Sequence, residues 1–181
     1  MKVKDQGEQR NEKRPLSTFT SGLHLTLKAG PVIALATIGL CAFTQTVAKE
    51  FGIDLPEQTN VEFVRRAVGW NWGFMRILAL VLVVAPLIEE LIFRGLMFKV
   101  LGRLFKKATR TFAVLSSALF SAAHYLQQPF PDNAFLALFF LGLAQCWLYR
   151  KTDRLWCAVL NHSLFNLTNL ILVFALPESA H

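Results

Sequence analysis

The stretch LALVLVVAPLIEELIFRGLMF, from Leu78 to Phe98, is an apolar run long enough to cross a bilayer, and Glu89, Glu90 and Arg94 lie inside it. A charged side chain at the centre of a spanning helix costs about 2.5–3.5 kcal/mol on insertion scales, whereas a Leu, Ile, Val or Phe contributes only about 0.3–0.6 kcal/mol. The fourteen such residues between Ile77 and Phe98 contribute about 4–8 kcal/mol together, against about 9 kcal/mol for three charges. The segment spans only where the fold satisfies those groups, so a buried polar site is expected around them.

The rest of the chain has the same character. Of its 181 residues 54% are hydrophobic and only 17% charged; it holds 16 Phe and has a mean hydropathy of +0.41, outside the usual range of soluble domains. An all-α, polytopic membrane bundle is expected. The net charge of +7 does not point to nucleic acid, because the basic residues sit between apolar segments rather than along one face. Cys41, Cys146 and Cys157 are odd in number, fall within apolar segments and lack metal-type spacing, so they read as buried thiols.

Five spanning segments are expected, at about Gly30 to Val47, Phe74 to Phe98, Thr111 to Leu126, Ala134 to Tyr149 and Leu155 to Leu176. Residues 1–19 read as a mobile polar tail ahead of a membrane domain over 20–181, whose chemical core is about 74–176. The amphipathic stretch Val61 to Trp72, with Trp70, suits an interfacial helix. Lys99, Arg103, Lys106, Lys107 and Arg110 crowd one loop and Arg150, Lys151 and Arg154 another, whereas residues 127–133 hold no Lys or Arg. Both basic loops and the N-terminus are therefore expected in the cytoplasm, at the cost of placing Lys49, Arg65 and Arg66 outside.

Helical spacing organises the polar groups. Glu90 and Arg94, four apart with the acid first, share a face and can pair; Glu89, turned by about 100°, is left as the carboxylate free for chemistry. Pro86 removes a backbone donor just ahead of the acids, so a kink is expected there. His124 follows the small residues Ser116, Ser117, Ser121, Ala122 and Ala123, which permit close helix approach. His162 and Asn166 again share a face. Counted along their helices, Glu89, His124 and His162 fall near mid-membrane, so one pocket could hold all three. Taken singly, each histidine and Asn161 reads first as interhelical glue, and Glu90 with Arg94 as a structural ion pair.

Together, Glu89-Glu90-x-x-x-Arg94, Phe120-x-x-x-His124 and His162-x-x-x-Asn166, in that order on successive apolar segments, resemble the three motifs of the CPBP family of intramembrane proteases. That family includes the CAAX prenyl endopeptidases and the bacterial abortive-infection type proteins. Phe93-Arg94-Gly95 and Arg150-Lys151-Thr152-x-x-Leu155-Trp156 support the resemblance, which covers about Phe74 to Asn169. It implies an endopeptidase in which Glu89 and His124 activate water, His162 and Asn166 stabilise an oxyanion, and Glu90 and Arg94 support them. The implied substrate is a membrane-associated or lipidated protein or peptide. Family members usually have more helices, so the resemblance makes this chain little more than a catalytic core, for which a homodimer is an option.

Three other readings compete with this one. One carboxylate and two imidazoles could in principle hold zinc, but an HExxH pairing is absent and Asn is a poor zinc ligand, so no cofactor is expected. In a non-catalytic immunity or scaffold protein the polar cluster would only lock helices together. A proton-coupled transporter also uses intramembrane Glu and His, yet no repeat symmetry is visible.

Overall fold

The computed structural model describes residues 18–53, 72–101, 109–126 and 134–175, and among them every regular element is helical. The described elements are α1 (Phe19–Glu50), α2 (72–101), α3 (Thr109–Tyr125), α4 (Ala134–Thr152) and α5 (Leu155–Ala175). They match the five expected segments in order. The expected interfacial helix from Val61 lies outside the described residues, except for Trp72, which opens α2.

The first helix starts at Phe19 rather than near Gly30, and the sequence holds the reason. The Thr18 side chain accepts from the Ser21 N–H, satisfying a donor that the helix start would otherwise orphan. Phe19, assigned to the polar tail by composition, instead stacks on Trp156 of α5 at 4.7 Å between ring centroids. At the other end Gly52 takes φ +71, its N–H bonding Lys49 O while Ile53 N–H bonds Ala48 O. Only glycine adopts that left-handed position without penalty, and it closes the helix.

Two regions of α2 depart from ordinary α geometry. Residues Leu80–Val84 and Leu91–Leu101 run in a widened register that flanks the α-helical stretch Ala85–Glu90. Ala85 N–H reaches back five residues to Leu80 O. In that register the next donor would be Pro86 bonding Val81 O, and proline has none. The disturbance expected ahead of the acids is thus a widened turn that leaves the Val81 carbonyl short of its chain partner.

Helix α4 occupies the middle of the assembly and contacts α1, α3, α5 and the last stretch of α2. Helix α1 lies across α4 and α5, and α5 packs along α2 from residue 80 onwards. Helices α4 and α5 are joined through Asp153 and Arg154 alone, with Asp153 at φ 51 and Thr152 Oγ1 accepting from Arg154 N–H at 3.3 Å. The interior mixes apolar residues such as Phe120, Leu141 and Leu148 with the polar Thr26, Glu90, Arg94, Ser117, Gln145 and Asn161, whereas Val32, Leu35, Phe43, Val83, Leu91 and Leu96 are exposed. Two helices, α1 and α5, are each long and apolar enough to cross a membrane, and only 22% and 28% of their most apolar stretches are buried inside the protein. Burial that slight is unlike the core helix of a soluble domain.

Candidate active site

Helices α2, α3 and α5 bring their ionisable groups to one place. Glu89 Oε2 lies 3.7 Å from His124 Nε2 and 3.7 Å from His162 Nε2. Both separations are too long for direct hydrogen bonds. Glu89 Oε2 is itself buried and has no hydrogen-bond partner, although the Glu89 side chain as a whole is 26% exposed and that of His124 21%.

The other ring nitrogens explain what these three atoms can do. His124 Nδ1 donates to Phe120 O, one turn back on its own helix, at 2.9 Å. A carbonyl only accepts, so the proton sits on Nδ1 and leaves Nε2 with a lone pair when the ring is neutral. His162 Nδ1 lies 2.9 Å from Glu90 Oε1, and the same reasoning leaves its Nε2 as an acceptor. Two imidazole lone pairs and a carboxylate oxygen then face one another with no donor among them.

Glu90 points the other way and is wholly buried. Besides His162 it meets Arg94, with NH1 to Oε1 at 3.1 Å, the pair expected from spacing. Its contact with His162 was not legible in the sequence, because spacing along one helix says nothing of what a second helix presents. Arg94, also fully buried, donates through NH2 to Gly142 O on α4 at 3.2 Å and lies over the Phe120 ring at 4.6 Å. That ring meets His124 at a tilt and His162 edge-on, at 4.7 Å and 5.7 Å between centroids. Phe120 thus contacts the cation and both imidazoles. The Phe-x-x-x-His spacing is the sequence signal that could have revealed it.

Asn166 stands apart from the two imidazoles in what it binds. Its Nδ2 donates to Val81 O at 2.8 Å, the carbonyl that Pro86 deprives of a chain donor. One amide hydrogen of Asn166 is thereby committed to holding α5 against α2, and the second is left to any group entering the pocket.

Helix α3 is fixed from both sides, by Ser116 Oγ donating to Phe93 O at 2.7 Å and by Ser121 Oγ donating to Phe135 O. The small residues noted in the sequence therefore include hydroxyls that tie helices together. Among the described residues no group of three or more His, Cys, Asp or Glu side chains has the arrangement of a metal centre. Ligands about 2.0–2.1 Å from a tetrahedral zinc stand roughly 3.3 Å apart, closer than Glu89 is to either imidazole.

The Bacillus subtilis (strain 168) protein named "Putative membrane peptidase YdiL" is 33% identical over 86 residues, 46% of this chain and 32% of that protein. The chain therefore spans well under half the length of this curated relative. No solved structure matches. Residues 71–168, more than half of the chain, match the profile described as "Type II CAAX prenyl endopeptidase Rce1-like". That stretch runs from the start of α2 to the last turns of α5, and the chain belongs to the Rce1-like family.

Proposed function

We propose that the chain is a multi-pass intramembrane endopeptidase in which Glu89 and His124 activate a water molecule against a peptide carbonyl. The observation that carries this reading is the unpartnered Glu89 Oε2, equidistant from two Nε2 atoms. As the water oxygen bonds to the carbonyl carbon, Glu89 takes its proton. The carbonyl oxygen becomes an oxyanion, to which His162 donates from Nε2 once that nitrogen carries a proton, with Glu90 on the other side of the ring. The second amide hydrogen of Asn166 serves the same oxygen. Glu89 then returns the proton to the amide nitrogen as the C–N bond breaks, giving a carboxylic acid and an amine.

Several features support the membrane part of the reading. Many large apolar side chains face outward while Glu90 and Arg94 are fully buried, an arrangement that hydrocarbon solvates. Contacts Phe19–Trp156, Gly95–Leu155 and Lys99–Tyr149 gather the start of α1, the end of α2 and the α4–α5 junction at one end of the bundle. Lys99, Arg150, Lys151 and Arg154 lie at that end, which faces the cytoplasm on this reading. The substrate is a membrane-associated or lipidated polypeptide that reaches Glu89 from within the bilayer.

The test compares membrane proteomes of cells carrying the native chain, Glu89→Gln and His124→Ala, by mapping new protein termini. Termini present only with the native chain are expected; identical maps for all three would overturn the reading. The contacts Glu90–His162 and Asn166–Val81 would equally lock helices in a non-catalytic relative, and for such a protein Glu89→Gln would leave the cellular phenotype intact.

A further inference from the structure

Gly142 is a residue that no motif singled out, and the fold is built tightly around it. A Cβ placed there would stand 2.8 Å from Ser117 Cβ and 2.9 Å from Ser117 Cα, so the obstruction includes backbone that cannot rotate away. Helices α3 and α4 would have to part by roughly half an ångström or more. The carbonyl of the same residue receives Arg94 NH2 at 3.2 Å, already near the long limit of such bonds. We propose that Gly142 is a positioning residue for the pocket, setting the approach of α3 to α4 and anchoring the chain Arg94, Glu90, His162 through its carbonyl.

Two lines run from this one residue to the pocket. His124 lies seven residues, or two turns, beyond Ser117 on α3, so a displacement at the crossing is carried to the imidazole. Arg94 holds Glu90 at 3.1 Å and Glu90 holds His162 at 2.9 Å, so loss of the carbonyl anchor reaches the second imidazole. Misplacement of reacting groups by about 1 Å can cost on the order of 100-fold in rate.

The inference rests on the endopeptidase reading for its rate effect, and the test keeps the two apart. Gly142→Ala, Ser117→Gly and the double variant are compared in the full chain, in membranes, by the rate at which Glu89-dependent termini appear. In parallel, nitrogen NMR of the histidine rings is recorded on detergent-solubilised protein, where the chain's four histidines keep the spectrum tractable. Gly142→Ala is expected to slow cleavage by about 10–100-fold and to shift the His124 and His162 signals. The double variant removes the Ser117 Cβ and Oγ contacts and leaves only the Cα at 2.9 Å, so it should recover part of both. Native rate and native ring signals in Gly142→Ala overturn the proposal, as does a double variant no better than the single. If Gly142→Ala does not accumulate, the double variant decides: native-like ring signals support the proposal and failure to fold overturns it. Should native and Glu89→Gln chains give the same termini, the protease reading falls, and the ring signals alone decide the role of Gly142.

Discussion

Glu89 and Glu90 are neighbours in the chain and opposites in the fold. Glu90 is fully buried with His162 at 2.9 Å and Arg94 at 3.1 Å. Glu89 is partly exposed, and its ionic partners come no nearer than 3.7 Å. One step along a helix turns a side chain by about 100°, enough here to separate a carboxylate held by cations and imidazole from one left for solvent. A buried ion pair is weak evidence for stability but costly to break. Each of the two carboxylates keeps its Oε2 buried and without a hydrogen-bond partner, which is costly as it stands. On the proposed reading, Glu90 serves architecture and Glu89 chemistry.

The sharpest way to break that contrast is Glu89→Gln, which keeps shape and removes the base. Cleavage is expected to fall about 10²–10⁴-fold with the thermal transition of the purified protein unchanged, and equal losses of stability and activity would erase the distinction. Glu90→Ala should lower stability as well as cleavage, because it also frees His162. Arg94 would be left buried without its counter-charge, at about 3–5 kcal/mol, read as reduced accumulation in membranes and a lower denaturation midpoint.

A finer test uses the proline. Asn166→Ala leaves Val81 O without the donor that replaces the missing Pro86 N–H, and should destabilise by about 1–3 kcal/mol. In a Pro86→Ala background the backbone donor returns, so the same substitution should cost measurably less, and additive costs would show that Asn166 does not fill the gap left by the proline. The smallest expected effect is that of chelation. Incubating the active protein with a chelator should leave its cleavage rate unchanged, since the Glu89 separations are wide for shared zinc ligation; a loss restored by added zinc would move Glu89 from base to ligand.

Much of this was visible in the chain itself. The five apolar segments came from length and composition, and the Glu90–Arg94 pair followed from a spacing of four. What the sequence could not show were relations between helices. That Glu90 meets His162 depends on the rotation of α5 against α2. That Gly142 touches Ser117 depends on where α3 crosses α4, and one glycine in the apolar run Phe139 to Leu143 gives no signal of it. The start of α1 was misjudged because Thr18 and Phe19 were read by polarity and length, whereas a capping hydroxyl and a ring stack on Trp156 decide the boundary. The widened register of α2 was equally hidden, although Pro86 marked where to look.

The junction through Asp153 and Arg154 has a mechanical consequence. With two residues between them, the last turn of α4 and the first turn of α5 stay side by side, so any tilt of one helix against the other must pivot at that end.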